Sequence, residues 1–599
     1  MTFVQPTECP CGSGLRHARC CGLDLAALDA AHTDPSATMR AAQALKQNAA
    51  TIAEQLCLEV LEQWPRQPDA LWTLSRLRDA QNLPVAAEAL VGRIVVLNPN
   101  TPRATQDLAL RIMRRGAPAE AMMHARNAVR SAPLDPQSHI VMGMVFTEAA
   151  KPQMAERHYR RALELSQTRD PVLLANLALC LRVQGIMAES RALYEESHLA
   201  APLEVHILLN WVRLEEADHQ FIRAGELLDA AARLAPHHAD LRLLRAVLLA
   251  RQGDGPAALV MLASGGEVPL SAEESLECGR LLDRAGRFNE AFAAFDAGRA
   301  AMRAAGKPLY AGELAAGLAV RLRRFFTAAR LGTLPRATQR SDQPQPVFIL
   351  GFPRSGTTLV EQTLTSTSAI SAGGELPLIW EVTRAMRRLL DSPLSYPDAL
   401  SELWLGDRSD GLEVLRDHYL YRARQFGVRT TSALFTDKMP LNEMHLGLIG
   451  LIFPQAPLIH VLRHPLNVVL SVYSNNLTHG FDCAATLESA ARHYVLIADL
   501  VEHYRSQMNL RYLPVRYVDL VRDQETQVRR MLDFIGIPFE NAHLRFHENQ
   551  RHAPTASYAQ VTESLYDRSV ERWRHYRAQL APVFSILQPV IDRLGYRID

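Results

Sequence analysis

Two kinds of apolar pattern divide the chain. In the N-terminal half, up to about Leu331, apolar residues keep helical spacing and one register of small residues returns about every 34 positions. Its members are Ala53, Ala87, Ala121, Ala155, Ser190, Ala224, Ala258 and Ala291. Proline stands twelve positions after five of them, at Pro65, Pro99, Pro133, Pro202 and Pro236, and Tyr159, Tyr194 and Phe295 stand four positions after three of them. A small residue lets two antiparallel helices approach closely, an aromatic fills the groove and proline ends the second helix. The pattern predicts stacked helical hairpins. From Pro346 it changes to short apolar runs, at Pro346–Leu350, Ala456–Leu462 and Arg511–Tyr517. Each leads into a turn or a new helical segment, as buried parallel strands do in an α/β layer.

The period and the small-x-x-x-aromatic pattern resemble the tetratricopeptide repeat. About eight such units would wind into a superhelical solenoid with a concave inner surface. That resemblance implies a peptide or protein partner on the concave face, or self-association as a homodimer; a plain spacer is the alternative. The earliest repeats depart from the consensus at Cys57 and Asn82. Helices near Leu309–Leu331 read as a cap to the array. The proline-rich polar stretch from Pro335 to Pro346 reads as the linker that follows.

Composition narrows the setting. The 599 residues carry a net charge of only +1, so charge gives no argument for nucleic acid or an anionic membrane. The N-terminal residues lack a basic, then apolar, leader, and no apolar run is long enough to span a bilayer. Four of the eight cysteines (Cys57, Cys180, Cys278 and Cys483) are scattered through the chain. In a chain read as lacking a leader these are expected to be reduced, which places the protein in the cytoplasm.

The other four are Cys9, Cys11, Cys20 and Cys21, within thirteen residues. Four soft ligands at that range suit tetrahedral Zn²⁺, and Gly12 and Gly14 let the chain fold around an ion. Adjacent Cys20 and Cys21 are poor disulfide partners for each other. C-P-C-G-S-G…C-C-G resembles the SEC-C motif, which implies a structural zinc and a docking role rather than catalysis.

The chemistry is expected around Gly351-Phe352-Pro353-Arg354-Ser355-Gly356-Thr357-Thr358. Strand, tight turn and helix N-terminus together form an anion site, because first-turn amides lack intrahelical partners and the helix dipole is positive there. Gly351 and Gly356 have the spacing of a nucleotide-triphosphatase P-loop, but Thr357 replaces the lysine, and the fixed cation is Arg354. ATP or GTP hydrolysis is disfavoured; binding of a nucleotide phosphate is not. A second anion site is expected where the strand ending at Leu462 meets Arg463, with Ser471 two helical turns further on, at a crevice outside parallel strand ends.

P-R-S-G-T-T, followed about a hundred residues later by R-x-x-x-x-x-x-x-S, resembles the sulfotransferase family, which takes PAPS (3′-phosphoadenylyl sulfate) as donor and releases PAP. The resemblance covers nearly all of residues 346–599. It implies that Arg354, Ser355, Gly356, Thr357 and Thr358 hold the 5′-phosphosulfate, and Arg463 and Ser471 the 3′-phosphate. Tyr517 in V-R-Y-x-D-L would lie near the adenine, and Ser557 in a closing segment over the nucleotide. Lys438, in Thr436-Asp437-Lys438-Met439-Pro440, is the only lysine among residues 346–599 and matches the family's catalytic lysine. Glu375 in Gly373-Gly374-Glu375 matches the base of the tyrosylprotein branch, with His445, His460 and His464 as rivals. Arg354 would meet charge on the leaving group.

The expected chain is multidomain, an α-solenoid followed by an α/β domain with a parallel sheet. A zinc knuckle occupies 1–23, the repeat array 24–331, a linker 332–345 and the sulfotransferase domain 346–599. The expected activity is PAPS-dependent sulfuryl transfer, EC class 2.8.2, to a tyrosine on a polypeptide presented by the array. The alternatives are a carbohydrate or small-molecule hydroxyl as acceptor, or a scaffold with a non-catalytic nucleotide-binding domain.

Overall fold

The structure is a computed structural model describing residues 8–24, 35–47, 49–265, 269–305, 310–338, 343–428, 432–477, 482–546 and 570–598. The chain forms two compact units, Met1–Gln220 and Phe221–Asp599.

The first unit opens with the cysteine knuckle, followed by five helical hairpins from Pro35–Lys46/Ala50–Gln63 to Pro171–Val183/Met187–Ala200, and then the helix Val205–Ala217. Proline is the first residue of every one of the seven consecutive helices from Pro68–Ala80 to Pro171–Val183, where its missing N–H costs nothing. Ala53, Ala87, Ala121, Ala155 and Ser190 are all fully buried, as the close approach of two helices requires. Their aromatic partners need equal room. A Cβ added at Gly143 would lie 2.4 Å from the Tyr159 ring. The turn inside the second to the fifth hairpin also repeats. Asn82, Gly116, Ala150 and Gly185 all have positive φ, at 59°, 83°, 54° and 81°. Asn82 is therefore no defect. It occupies the left-handed turn position that favours glycine or asparagine.

The second unit begins with the helix Phe221–Leu234 and two further hairpins, Asp240–Arg251/Gly255–Ala263 and Ala272–Arg284/Phe288–Ala304. Ala224, Ala258 and Ala291 are again fully buried. A five-stranded parallel sheet follows, in the order β2-β3-β1-β4-β5, with β1 Gln345–Leu350, β2 Ile370–Ser371, β3 Leu434–Asp437, β4 Leu458–Leu462 and β5 Tyr512–Arg516. Strand β1 has both faces covered, which explains its unbroken apolar run. Val347 and Ile349 pack with the helices Thr357–Leu364 and Gln524–Ile535, while Phe348 and Leu350 face a larger core.

That larger core includes Phe295 and Met302 of the last hairpin and Leu322 and Phe325 of the helix Gly312–Phe325. The helix expected as a cap thus also packs into the α/β domain. At Gly447 a Cβ would lie 2.5 Å from the Phe326 ring, so the chain approaches the helix Leu446–Ile452 closely there. The stretch read as linker is tied down where described, with the Ala337 amide donating to Leu451 O at 3.1 Å.

In this strand order the connections leave β1 toward β2 and β3 on one side and reach β4 and β5 on the other. The switch falls between β1 and β4, where doubly wound sheets hold their ligands.

Candidate functional site

Both predicted anion-binding segments lie at that switch. β1 runs into Gly351–Gly356 and then the helix Thr357–Leu364; β4 ends at Leu462, directly before Arg463. The turn is held in an unusual backbone conformation. Arg354 has φ 73°, a region L-residues avoid, and Gly356 has φ 110°. Neighbours lock Arg354 from both ends: its Nε donates to Ser471 Oγ at 3.1 Å, and its carbonyl accepts from Arg463 Nη1 at 2.9 Å. Strain maintained this firmly is characteristic of ligand loops.

The loop has the features of an anion cradle. The Ser355 hydroxyl is buried and has no hydrogen-bond partner among the described residues. A Cβ at Gly351 would lie 2.4 Å from that same Oγ and 2.8 Å from Val461 O, so glycine lets the turn close around it. Thr357 and Thr358 are buried in the first turn of the following helix. Tyr517 heads the short helix after β5, and its ring lies under the loop: a Cβ at Gly356 would come within 2.6 Å of it. The Arg463 guanidinium covers the ring 4.8 Å from its centroid. Arg354, Arg463, Ser471 and Tyr517 therefore form one continuous contact set. Ser557 lies outside the described residues.

Glu375 and Lys438, 63 positions apart, meet directly. Lys438 Nζ donates to Glu375 Oε1 at 2.7 Å, with the lysine side chain 1% exposed and the glutamate 20%. Their backbones are also joined, Lys438 N donating to Gly374 O at 2.8 Å. Sequence reasoning missed the residue that holds this arrangement. Glu361, buried on the helix Thr357–Leu364, accepts from Gly374 N at 2.9 Å and from Thr436 Oγ1 at 2.6 Å. Thr436 Oγ1 in turn accepts from Gly373 N at 3.0 Å. A glutamate inside a helix whose other residues are all buried was the available signal.

Next to Lys438, Asp437 is fully buried, and burial pushes its carboxyl up to about 7 against the pull of the Tyr419 hydroxyl at 2.6 Å and the Asn442 amide at 3.0 Å. The rival histidines have structural settings. His445 is buried against Tyr396 and brought down to about 4 by desolvation. His460 bridges Glu443 at 2.7 Å and Tyr512 at 2.5 Å. His464 caps the helix Pro465–Tyr473 and stacks on Trp573. A separate cavity of about 100 Å³, lined by Gln345, Leu434 and Arg511, lies at the opposite ends of the strands.

Residues 346–541 match the sequence model of the Sulfotransferase family. The chain carries a sulfotransferase-family domain. An uncharacterized protein of Aquifex aeolicus is 33% identical over 261 residues, covering 42% of this chain and 33% of its own length. Protein-tyrosine sulfotransferase 1 of Danio rerio is 24% identical over 270 residues, covering 42% of this chain and 72% of that protein. The chain thus spans only a third of the Aquifex relative. Among solved structures, the sulfotransferase domain of the Synechococcus PCC 7002 olefin synthase aligns at 24% identity and TM-score 0.28, covering 40% of this chain and 91% of that domain. YrrB, a TPR protein with an unusual peptide-binding site, aligns at 18% identity and TM-score 0.27, covering 33% of this chain and 97% of that one.

At the N-terminus the four predicted ligands converge. The sulfurs of Cys9, Cys11, Cys20 and Cys21 lie within 4.8 Å of one another, a fit to a tetrahedron with Zn–S of about 2.3 Å. Burial opposes ionisation of Cys9, but hydrogen bonds from the Cys11 backbone and His17 bring it down to about 5. Two buried arginines of the following helices grip the knuckle. Arg78 donates to Ser13 O at 2.7 and 3.1 Å, and Arg93 to Arg19 O at 3.1 Å. Among the described residues, no helix is long and apolar enough to cross a membrane.

Proposed function

We propose that the protein is a PAPS-dependent sulfotransferase acting on a tyrosine hydroxyl of a peptide or protein presented by its repeats. The observation that carries the reading is the pairing of two features at the β1/β4 switch. One is the locked Arg354–Ser471–Arg463 set around the buried Ser355 hydroxyl; the other is the Glu375–Lys438 pair. In this reading Ser355, Gly356, Thr357, Thr358 and Arg354 hold the 5′-phosphosulfate, and Arg463 and Ser471 hold the 3′-phosphate. Tyr517 borders the adenine side. A bound donor of this class supplies the sulfuryl group.

Glu375 accepts the proton of the acceptor hydroxyl. Lys438 and Arg354 present positive charge where negative charge builds on the departing phosphate, and burial of Lys438 strengthens that effect. Tyrosine as acceptor is supported by the glutamate on a G-G-E loop and by the tyrosine-sulfotransferase relatives. Cys9, Cys11, Cys20 and Cys21 hold a structural Zn²⁺, and all eight cysteines are free of disulfides, in keeping with a reducing, cytoplasmic setting.

The test is transfer of radiolabelled sulfate from PAPS by the full chain, offered a peptide library and a mixture of hydroxylated sugars and phenols. Label on tyrosine supports the reading; label on the small molecules alone replaces the acceptor. No transfer together with tight PAP binding leaves the scaffold alternative standing.

A further inference from the structure

We propose that Arg299, on the last repeat helix Phe288–Ala304, is a positioning residue of the donor site, so that the final hairpin is part of that site. The inference rests on the donor reading above. Ser471 stands in the last turn of the helix Pro465–Tyr473, whose terminal carbonyls have no partners within the helix. Arg299 supplies them. Its Nε donates to Tyr473 O at 2.8 Å, and its Nη2 donates to Val472 O at 2.8 Å and to Asn475 O at 2.5 Å. The same helix adds a second grip, with Asp296 Oδ1 accepting from the Tyr473 hydroxyl at 2.6 Å.

Arg299 is buried, and among the described residues its hydrogen bonds go to these carbonyls and the Met302 sulfur, with no carboxylate among them. Burial brings the guanidinium down only to about 10, so it stays charged at neutral pH. A buried cation is costly to keep unless its geometry is used. Here it sits at the negative end of a helix dipole and fixes where that helix ends. The register of that end sets Ser471, whose hydroxyl accepts from Arg354 Nε and whose carbonyl accepts from Asn475 Nδ2 at 2.8 Å. A chain of contacts therefore runs from the last repeat to the phosphate-loop arginine. The neighbouring helix of the hairpin makes a parallel link: Asp283 holds Arg572 at 3.0 Å, and Arg572 Nη1 reaches Ser474 Oγ at 3.5 Å.

The experiment measures PAP affinity by calorimetry on the full chain, with thermal unfolding and hydrogen exchange across 465–475 measured in parallel. Wild type, Arg299→Met, Arg299→Lys and Tyr473→Phe are compared. The expected result is at least tenfold weaker PAP binding by Arg299→Met and an intermediate loss in Arg299→Lys, which keeps the charge but not the three-carbonyl fork. Tyr473→Phe is expected to lose about threefold. Exchange across 465–475 rises in the same order. A folded Arg299→Met that binds PAP like wild type overturns the inference, as it makes the arginine a merely structural contact. If that variant does not fold, unchanged PAP affinity in both Arg299→Lys and Tyr473→Phe overturns it. Failure of wild type to bind PAP instead removes the donor reading, and this inference with it.

Discussion

Replacing Glu375 tests the base and the buried lysine at once. In the structure the carboxylate is 2.7 Å from an ammonium that is 1% exposed. Removing one partner of a fully buried ion pair costs about 3–5 kcal/mol. Glu375 keeps some contact with water, so about 2–3 kcal/mol is the expected loss for Glu375→Ala. A cooperative unit the size of Phe221–Asp599 has an unfolding entropy of roughly 0.8 kcal/mol/K, which makes that loss a fall in Tm of about 3 °C. Lys438→Met should cost less, because the carboxylate it leaves is the more exposed partner. The double variant should recover part of the loss, giving a coupling of about 2 kcal/mol in the double-mutant cycle. Turnover should behave differently. Without the base, sulfate transfer falls by about 10²–10⁴-fold, while PAP binds at least as tightly, since the ammonium is left for the phosphate alone. Calorimetry for PAP, thermal unfolding and labelled-sulfate transfer on the same preparations give all three numbers. Near-normal transfer by Glu375→Ala would move the base elsewhere, and additive stabilities would show that the two side chains are not an energetic unit.

Other perturbations read other parts of the molecule. Arg463→Ala removes a phosphate contact of about 1.5–3 kcal/mol, so the PAP Kd should rise about 10- to 100-fold by calorimetry; an unchanged Kd contradicts the 3′-phosphate assignment. Asp437 is raised to about 7 by burial, so the folded state binds more protons than the unfolded between about pH 4 and 7, and ionisation costs stability as pH rises through that window. Asp437→Asn should therefore gain on wild type from pH 4 to 7 and run parallel above it, as read by urea midpoints; a constant difference refutes this. Gly143→Ala drives a methyl into the Tyr159 ring and should cost about 1–3 kcal/mol, with much of it restored by Tyr159→Leu in the same chain. Metal analysis of the purified chain should find one zinc, lost in Cys11→Ser, with a lower Tm for the Met1–Gln220 unit after chelation.

The repeats were legible because their physics is periodic. Each hairpin needs one small residue at the crossing, and in every repeat from Ala53 to Ala291 that residue is buried. The strand β1 was legible for a related reason: with helices on both faces, every position is apolar. The left-handed turns were harder to see, because Asn82 and Ala150 stand where Gly116 and Gly185 appear, and the shared quantity is a backbone angle rather than a residue type. Sequence exposed the charged residues of the two anion motifs since each follows directly on a strand. Arg299 left no such trace. Its partners are backbone carbonyls some 170 positions away, and a carbonyl has no identity in a sequence.

Glu361 shows why the motifs work as one device. A Cβ at Gly373 would lie 2.0 Å from Thr436 O, so the G-G-E loop lies directly on the end of β3 and tolerates no side chain there. Contact that close leaves amides turned inward, and a buried amide must find an acceptor. Glu361 accepts from Gly374 and Thr436 Oγ1 from Gly373, with Thr436 itself tied to Glu361. The helix that begins at the phosphate loop thereby fixes both the loop bearing Glu375 and the strand end bearing Lys438. Three segments with no sequence relation to one another share a single carboxylate. Their relative placement is decided by the need to satisfy backbone donors, before any ligand enters.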